Sequence, residues 1–131
     1  MFNIDKIKNS YKVIDFLGSW PVFHDAEITK VELDRELPDL IMTIYTFLLS
    51  KEIDEKGFLK KQKECLITFQ FGSLKNLEIS NFNHQNVISG LVFKPTADNE
   101  IEVLINSIYG LEGKFVCNDI NVLLVKELRE K

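Results

Sequence analysis

A chain of 131 residues, 45% hydrophobic and 27% charged, has the composition of a folded soluble protein and suits one domain spanning residues 1–131. Its net charge of −4 argues against the basic surface of a nucleic-acid binder. No stretch approaches the roughly 18 consecutive apolar residues of a membrane span, and Met1-Phe2-Asn3-Ile4 does not start a secretion signal, so the expectation is a cytoplasmic protein with no membrane or nucleic-acid partner.

Ile4, Ile7, Tyr11 and Ile14 recur at three- and four-residue steps and predict one face of an N-terminal helix. Asn3 is placed to cap it. Asn9-Ser10 can divide it into two short helices, with Ser10 capping the second, and Gly18 fits its C-terminal stop. Trp20-Pro21 cannot continue a helix, because proline drives its predecessor out of the α region. From Ala26 the chain alternates, but Ala26 and Ile28 share one parity and Val31 and Leu33 the other. A β-bulge near Thr29-Lys30 would return both pairs to the core side.

Pro38-Asp39 marks a turn. Residues 40–49 follow with apolar side chains at both parities, the pattern of a strand covered on both faces. Residues 50–64 are charged and contain Gly57, as a solvated loop or a hairpin extension would. There Lys56, Lys60, Lys61 and Lys63 are largely cancelled by Glu52, Asp54, Glu55 and Glu64, so no basic patch is expected. Cys65, Ile67, Phe69 and Phe71 alternate cleanly and make the natural antiparallel partner of strand 40–49. Leu77 and Ile79 give a short strand. In residues 87–93 Gly90 marks a bulge or a close backbone approach. A turn over residues 95–99 leads to the alternating Ile101, Val103 and Ile105. Tyr109-Gly110 opens another turn, and the phase slips again near Asn118-Asp119, between Phe115/Cys117 and Ile120/Val122/Leu124. The charged tail from Lys126 is expected to fray. Cys65 and Cys117, both in alternating apolar runs, read as buried free thiols. The fold class is α+β: an N-terminal helix followed by a mainly antiparallel, curved sheet of six to eight strands.

Chemistry could reside in two places. His24, Asp25 and Glu27 cluster beside Trp20, Pro21 and Phe23, and His84 offers a second imidazole. Together they would make a two-histidine carboxylate site for a metal or for acid–base work. Their spacing matches no helix-borne pair such as His-Glu-x-x-His. In the simpler structural reading, Asp25 accepts hydrogen bonds from turn amides or orients His24, and no cofactor is expected. There is no nucleophile elbow, phosphate-binding loop or activated thiol pattern, so the chain reads as a non-enzyme. Asn81-Phe82-Asn83-His84-Gln85-Asn86 is the other place. It reads as turn chemistry, or as a bridge in which His84, Gln85 and Asn86 reach the 20–27 segment and fix it. Trp20 and Phe23 read as core lids, or as anchors of an interface.

The string Trp20-Pro21-Val22-Phe23-His24-Asp25-Ala26-Glu27, followed by Val31-x-Leu33, resembles the signature of the immunity protein 50 family. Phe82-Asn83-His84-Gln85-Asn86-Val87-Ile88 resembles that family's central segment, and Tyr109-Gly110-Leu111 with Gly113, Phe115 and Cys117 is similar to its closing pattern. These strings occur in the family's order across most of residues 15–125, whereas residues 50–64 carry no resemblance. The resemblance implies a protein that binds a cognate bacterial toxin stoichiometrically and without catalysis. It implies structural roles for the signature residues and leaves the toxin-binding residues open. By that argument His24, Asp25, Glu27 and His84 should be at least partly buried and hydrogen-bonded, with toxin contact on the 50–64 segment and neighbouring strand faces. The alternatives are a small metal-binding domain or enzyme using His24, Asp25, Glu27 and His84, and a ligand- or peptide-binding module anchored by Trp20 and Phe23.

Overall fold

The alternating runs become eight antiparallel strands in a computed structural model, which describes residues 2–36 and 39–128. They are β1 (Glu27–Asp34), β2 (Asp39–Ile53), β3 (Leu59–Gly72), β4 (Lys75–Ser80), β5 (Val87–Pro95), β6 (Ile101–Tyr109), β7 (Glu112–Cys117) and β8 (Asp119–Glu127). One sheet holds them in the order β4-β7-β6-β5-β1-β2-β3-β8. Only Glu27↔Val87 pairs β1 with β5, so two four-stranded halves meet at a single rung.

Chain connectivity then dictates the curvature. The short β3–β4 and β7–β8 links each join opposite ends of that strand order. Links so short require the sheet to curl until its ends approach each other. Phe71 of β3 and Phe115 of β7 accordingly meet edge to face across the core, 5.0 Å between ring centroids. The Asn118 N–H donates to the Gly72 carbonyl at 2.8 Å, fastening the two links together. Phe69, Phe71, Phe115, Ile44, Ile67 and Val103 fill the interior, each worth about 1.5–3 kcal/mol of buried apolar side chain.

The first phase slip is a bulge where expected. The β1–β2 register shifts between Ile28 and Lys30, and Ala26, Ile28 and Val31 all pack on the core. Leu33, expected there too, is 54% exposed near the C-terminal end of β1, where it pairs with Leu40. The slip at Asn118 is the break between β7 and β8. A further bulge, in β8 opposite Thr68 and Phe69, reverses the parity beyond Val122 and turns Leu124 outward, against expectation. The register also shifts at Gly90. Of the tail expected to fray, Lys126 and Glu127 pair with Leu66 and Cys65 on β3, and residues 129–131 lie outside the described residues. Pro38 lies outside the described residues.

The helical lead-in is smaller than its periodicity implies. It consists of a 3-10 turn, Ile4–Lys6, and one short helix, α1 (Tyr11–Leu17). Asn3 caps the turn through its side chain, and Gly18 ends α1 at φ +93° with its N–H on the Ile14 carbonyl. Ser10 occupies the N-cap of α1 but makes no side-chain cap bond. Between the two pieces Asn9 takes φ +63°, which resets the helical phase. Ile7, Val13 and Leu17 are therefore the buried residues, and Tyr11 is 57% exposed. Lys8 forms a parallel bridge with Asn121 and hydrogen-bonds the backbone of Ile120 and Val122, covering part of the outer edge of β8.

Candidate functional site

The chain leaves α1 through Trp20-Pro21 and reverses before β1. Phe23 and Asp25 both adopt positive φ, +61° and +64°. The Ala26 N–H donates to the Phe23 carbonyl at 3.1 Å, and the Asp25 N–H to the Ile88 carbonyl at 3.0 Å. This turn drives Phe23 into the core and Asp25 outward. Trp20 is half-buried, its ring 6.0–6.4 Å from those of Phe23, Phe69 and Phe93. Trp20 and Phe23 are thus lids on the aromatic core.

The expected burial of the polar signature residues is corrected. His24, Asp25 and His84 are exposed, and only Glu27 is half-buried. His24 Nε2 lies 3.7 Å from Asp25 Oδ2, an open contact between side chains more than half exposed. Asp25 enters the turn's hydrogen bonding through its backbone N–H. His24 and His84 do not converge. Each lies three residues before the Glu27↔Val87 rung, and an antiparallel ladder carries them in opposite directions from it. Among the described residues no group of three or more His, Cys, Asp and Glu side chains is placed to hold a metal ion.

Asn86 is the residue that joins the signature segments. It is 1% exposed, and all four hydrogen-bonding positions of its amide are used. Its Oδ1 accepts from the N–H groups of Asn83 (2.8 Å) and Leu111 (2.9 Å). Its Nδ2 donates to the carbonyls of Asn83 (2.7 Å) and, at longer range, Ile28 (3.5 Å). The Asn86 carbonyl accepts from the Ile28 N–H at 2.9 Å. One side chain therefore ties the 81–86 loop to β1 and to the Gly110-Leu111 turn. Gly110 has φ +84°, and a Cβ there would lie 2.6 Å from Asn86 Oδ1. The expected bridge to residues 20–27 is corrected: Asn86 reaches β1 at Ile28, just past that segment, and His84 and Gln85 are exposed. Phe82 is 56% exposed, and Asn81 reaches Glu112 Oε1 at 3.3 Å.

Periodicity did not single out the other prominent surface. Residues 50–64 are a hairpin extension: β2 and β3 run on beyond the last paired residues of β1 and β8, Glu27 and Glu127. At the tip, Asp54 Oδ1 accepts from the N–H groups of Lys56 and Phe58, and Gly57 takes φ +86°. Leu49, Ile53, Phe58 and Leu59 are exposed along this ribbon. Ile41 in the body of β2, and Tyr45 and Phe47 at the root of the ribbon, are only half-buried, so β2 is not covered on both faces as expected. Apolar residues at both parities were the available signal, and what they mark is an open outward face.

Both thiols are buried and free. Burial pushes Cys65 up to about 11, and burial with the nearby Asp119 and Glu100 charges pushes Cys117 up to about 12. Neither is an activated nucleophile.

No helix among the described residues is long and apolar enough to cross a membrane. No curated protein matches the chain, and no solved structure does. The family model described as Immunity protein 50 matches residues 9–127. That match contains the Trp20–Glu27 string, the Asn86 loop and the Gly110 turn, and the chain belongs to the Immunity protein 50 family.

Proposed function

We propose that this protein neutralises a cognate bacterial toxin in the cytoplasm of the producing cell, by stoichiometric binding and without catalysis or a cofactor. The observation that carries this reading is the family match over residues 9–127. The toxin-contacting surface in this reading is the β2–β3 ribbon with the adjoining outward strand faces. Exposed Ile53, Phe58 and Leu59 supply apolar anchors there, and charged side chains form the rim, as in protein interfaces generally. The net charge of −4 favours capture of a basic partner.

The test is affinity capture of the tagged chain from its own organism, followed by purification of any stoichiometric partner and assay of its toxicity in a susceptible cell. A complex in which the partner's toxic activity is lost supports the proposal. A partner that stays fully active when saturated with this chain overturns it. The ribbon assignment is tested separately with Ile53→Ser/Phe58→Ser and with a variant whose 50–64 charges are neutralised. Undiminished protection by both removes the ribbon from the interface.

A further inference from the structure

The root of the ribbon carries a side-chain cluster that neither the core nor the Asn86 node uses. Tyr45 and Phe47 lie two residues apart on β2 and so share its outward face, their ring centroids 5.7 Å apart. A bulge sets what faces them from β3. Between the pairs Thr46↔Cys65 and Leu48↔Gln62, β2 uses one residue and β3 uses two, and Lys63 takes φ +51°. Strict alternation would put Lys61 and Glu64 on opposite faces of β3, and the bulge brings them to the same one. Lys61 Nζ consequently stands 4.5 Å from the Phe47 centroid and 5.5 Å from that of Tyr45. Glu64 accepts a hydrogen bond from the Tyr45 hydroxyl. Glu27, directly opposite Tyr45 on β1, adds a second carboxylate. Lys63 turns elsewhere and donates to the Phe16 carbonyl at 3.0 Å.

Two aromatic faces flanked by two carboxylates attract a cation, and here the chain's own ammonium already sits on the rings. We infer that this cluster receives one cationic side chain, a lysine or arginine, from the toxin, and that Lys61 is a resident stand-in which the incoming cation displaces. This inference rests on the toxin-binding reading above. The cluster adjoins the ribbon, and Tyr45, Phe47 and Glu64 are only half-buried, so an incoming side chain can reach it. Burial, the Glu64 hydrogen bond and the Glu64 and Glu27 charges keep the Tyr45 hydroxyl protonated far above its usual range. The phenol is therefore a fixed donor that holds Glu64 in place, and the carboxylates supply the negative charge.

The experiment compares the affinity of the purified toxin for the wild-type chain and for Phe47→Ala, Phe47→Leu, Glu64→Gln and Lys61→Ala, each checked by circular dichroism to be folded. Both Phe47 variants should bind about tenfold more weakly. Glu64→Gln should bind more weakly and with a smaller dependence on salt. Lys61→Ala should bind at least as tightly as wild type, because it removes a competitor. Weakening by Lys61→Ala comparable to that by Phe47→Ala overturns the inference, as does wild-type affinity in Phe47→Leu and Glu64→Gln.

If the wild-type chain binds no toxin, the neutralisation reading itself fails, and a second probe still judges the site. N-acetyl-arginine methylamide titrated into the Lys61→Ala chain should give saturable NMR shifts confined to the Tyr45 and Phe47 rings. Shifts absent from those rings, or spread over the whole surface, overturn the cation site.

Discussion

Replacing Asn86 by alanine tests whether one side chain holds the signature segments together. The Leu111 N–H loses its acceptor at a residue that is fully buried, and an unpaired buried donor costs about 1–3 kcal/mol. The Asn83 N–H and carbonyl lie beside an exposed loop. Water can partly replace the lost amide there, for a further cost of about 1 kcal/mol. The Ile28 contact, at 3.5 Å, lies at the limit of hydrogen-bond geometry and adds little. The void left by the amide adds about 1 kcal/mol. The sum is about 3–5 kcal/mol, a large share of the roughly 7–20 kcal/mol expected for a domain of this size. Urea unfolding followed by Trp20 fluorescence should show a midpoint lowered by about 2 M at unchanged slope. His84→Ala and Gln85→Ala, on exposed neighbours in the same loop, should stay within about 0.5 kcal/mol of wild type. A loss below about 0.5 kcal/mol for Asn86→Ala, or equal losses for all three variants, would refute the reasoning.

The same node, the core and the thiols give three more tests. Gly110→Ala combines φ +84° with a Cβ 2.6 Å from Asn86 Oδ1 and from the Gln85 carbonyl, so it should lose about 2–4 kcal/mol. Combined with Asn86→Ala, that loss should be less than additive in urea titrations, because the two changes disturb one contact. Phe69→Ala should lose about 3–5 kcal/mol and shift Trp20 emission to the red in the native state, since Phe69 is fully buried and touches the rings of Trp20, Phe23 and Phe71. Cys65 and Cys117 should resist a thiol reagent at pH 8 in the native protein and react fully in urea. Their folded pKa values, about 11 and about 12, lie above the unfolded value near 8.5, so the folded state binds more protons at alkaline pH. The stability they contribute is present below about pH 8.5 and is lost as pH rises toward 11–12. Cys65→Ala/Cys117→Ala should flatten that alkaline decline in urea midpoints measured between pH 8 and 11, and an unchanged decline would contradict the assignment.

Periodicity made the strands legible where a strand buries one parity. Cys65, Ile67, Phe69 and Phe71 face inward as their spacing requires, opposite a β2 that buries Leu40, Met42 and Ile44. The β1 bulge was legible for the same reason, since Ala26, Ile28 and Val31 reach one core only if a residue is extruded between Ile28 and Lys30. The helical lead-in was legible only in part. The break at Asn9-Ser10 was legible, and Asn9 makes it at φ +63°, but the first piece is a single 3-10 turn and the face expected to include Tyr11 is not the buried one. Leu124 failed similarly, because the β8 bulge depends on how β8 registers with β3, more than fifty residues away in sequence.

The candidate site was legible where it is built from backbone and core, and illegible where it faces outward. Trp20, Phe23, Asn86, Gly110 and Leu111 each have a packing or hydrogen-bonding duty that the fold imposes. The side chains of His24, Asp25 and His84 are exposed and carry lighter duties, an open His24–Asp25 contact at 3.7 Å and a His84 N–H that donates to Asn83 Oδ1 at 2.9 Å. Packing alone therefore does not account for the whole signature. The outward face of β2 left a subtler trace. Apolar residues at both parities of residues 40–49 suggest cover on both sides, yet the fold covers only the side of Leu40, Met42 and Ile44. Ile41, Tyr45 and Phe47 are more apolar than a solvated face requires, and folding of this chain leaves them half-open. This half-open apolar face adjoins the β2–β3 ribbon with its exposed Ile53, Phe58 and Leu59, and that continuity supports the proposed interface with a second protein.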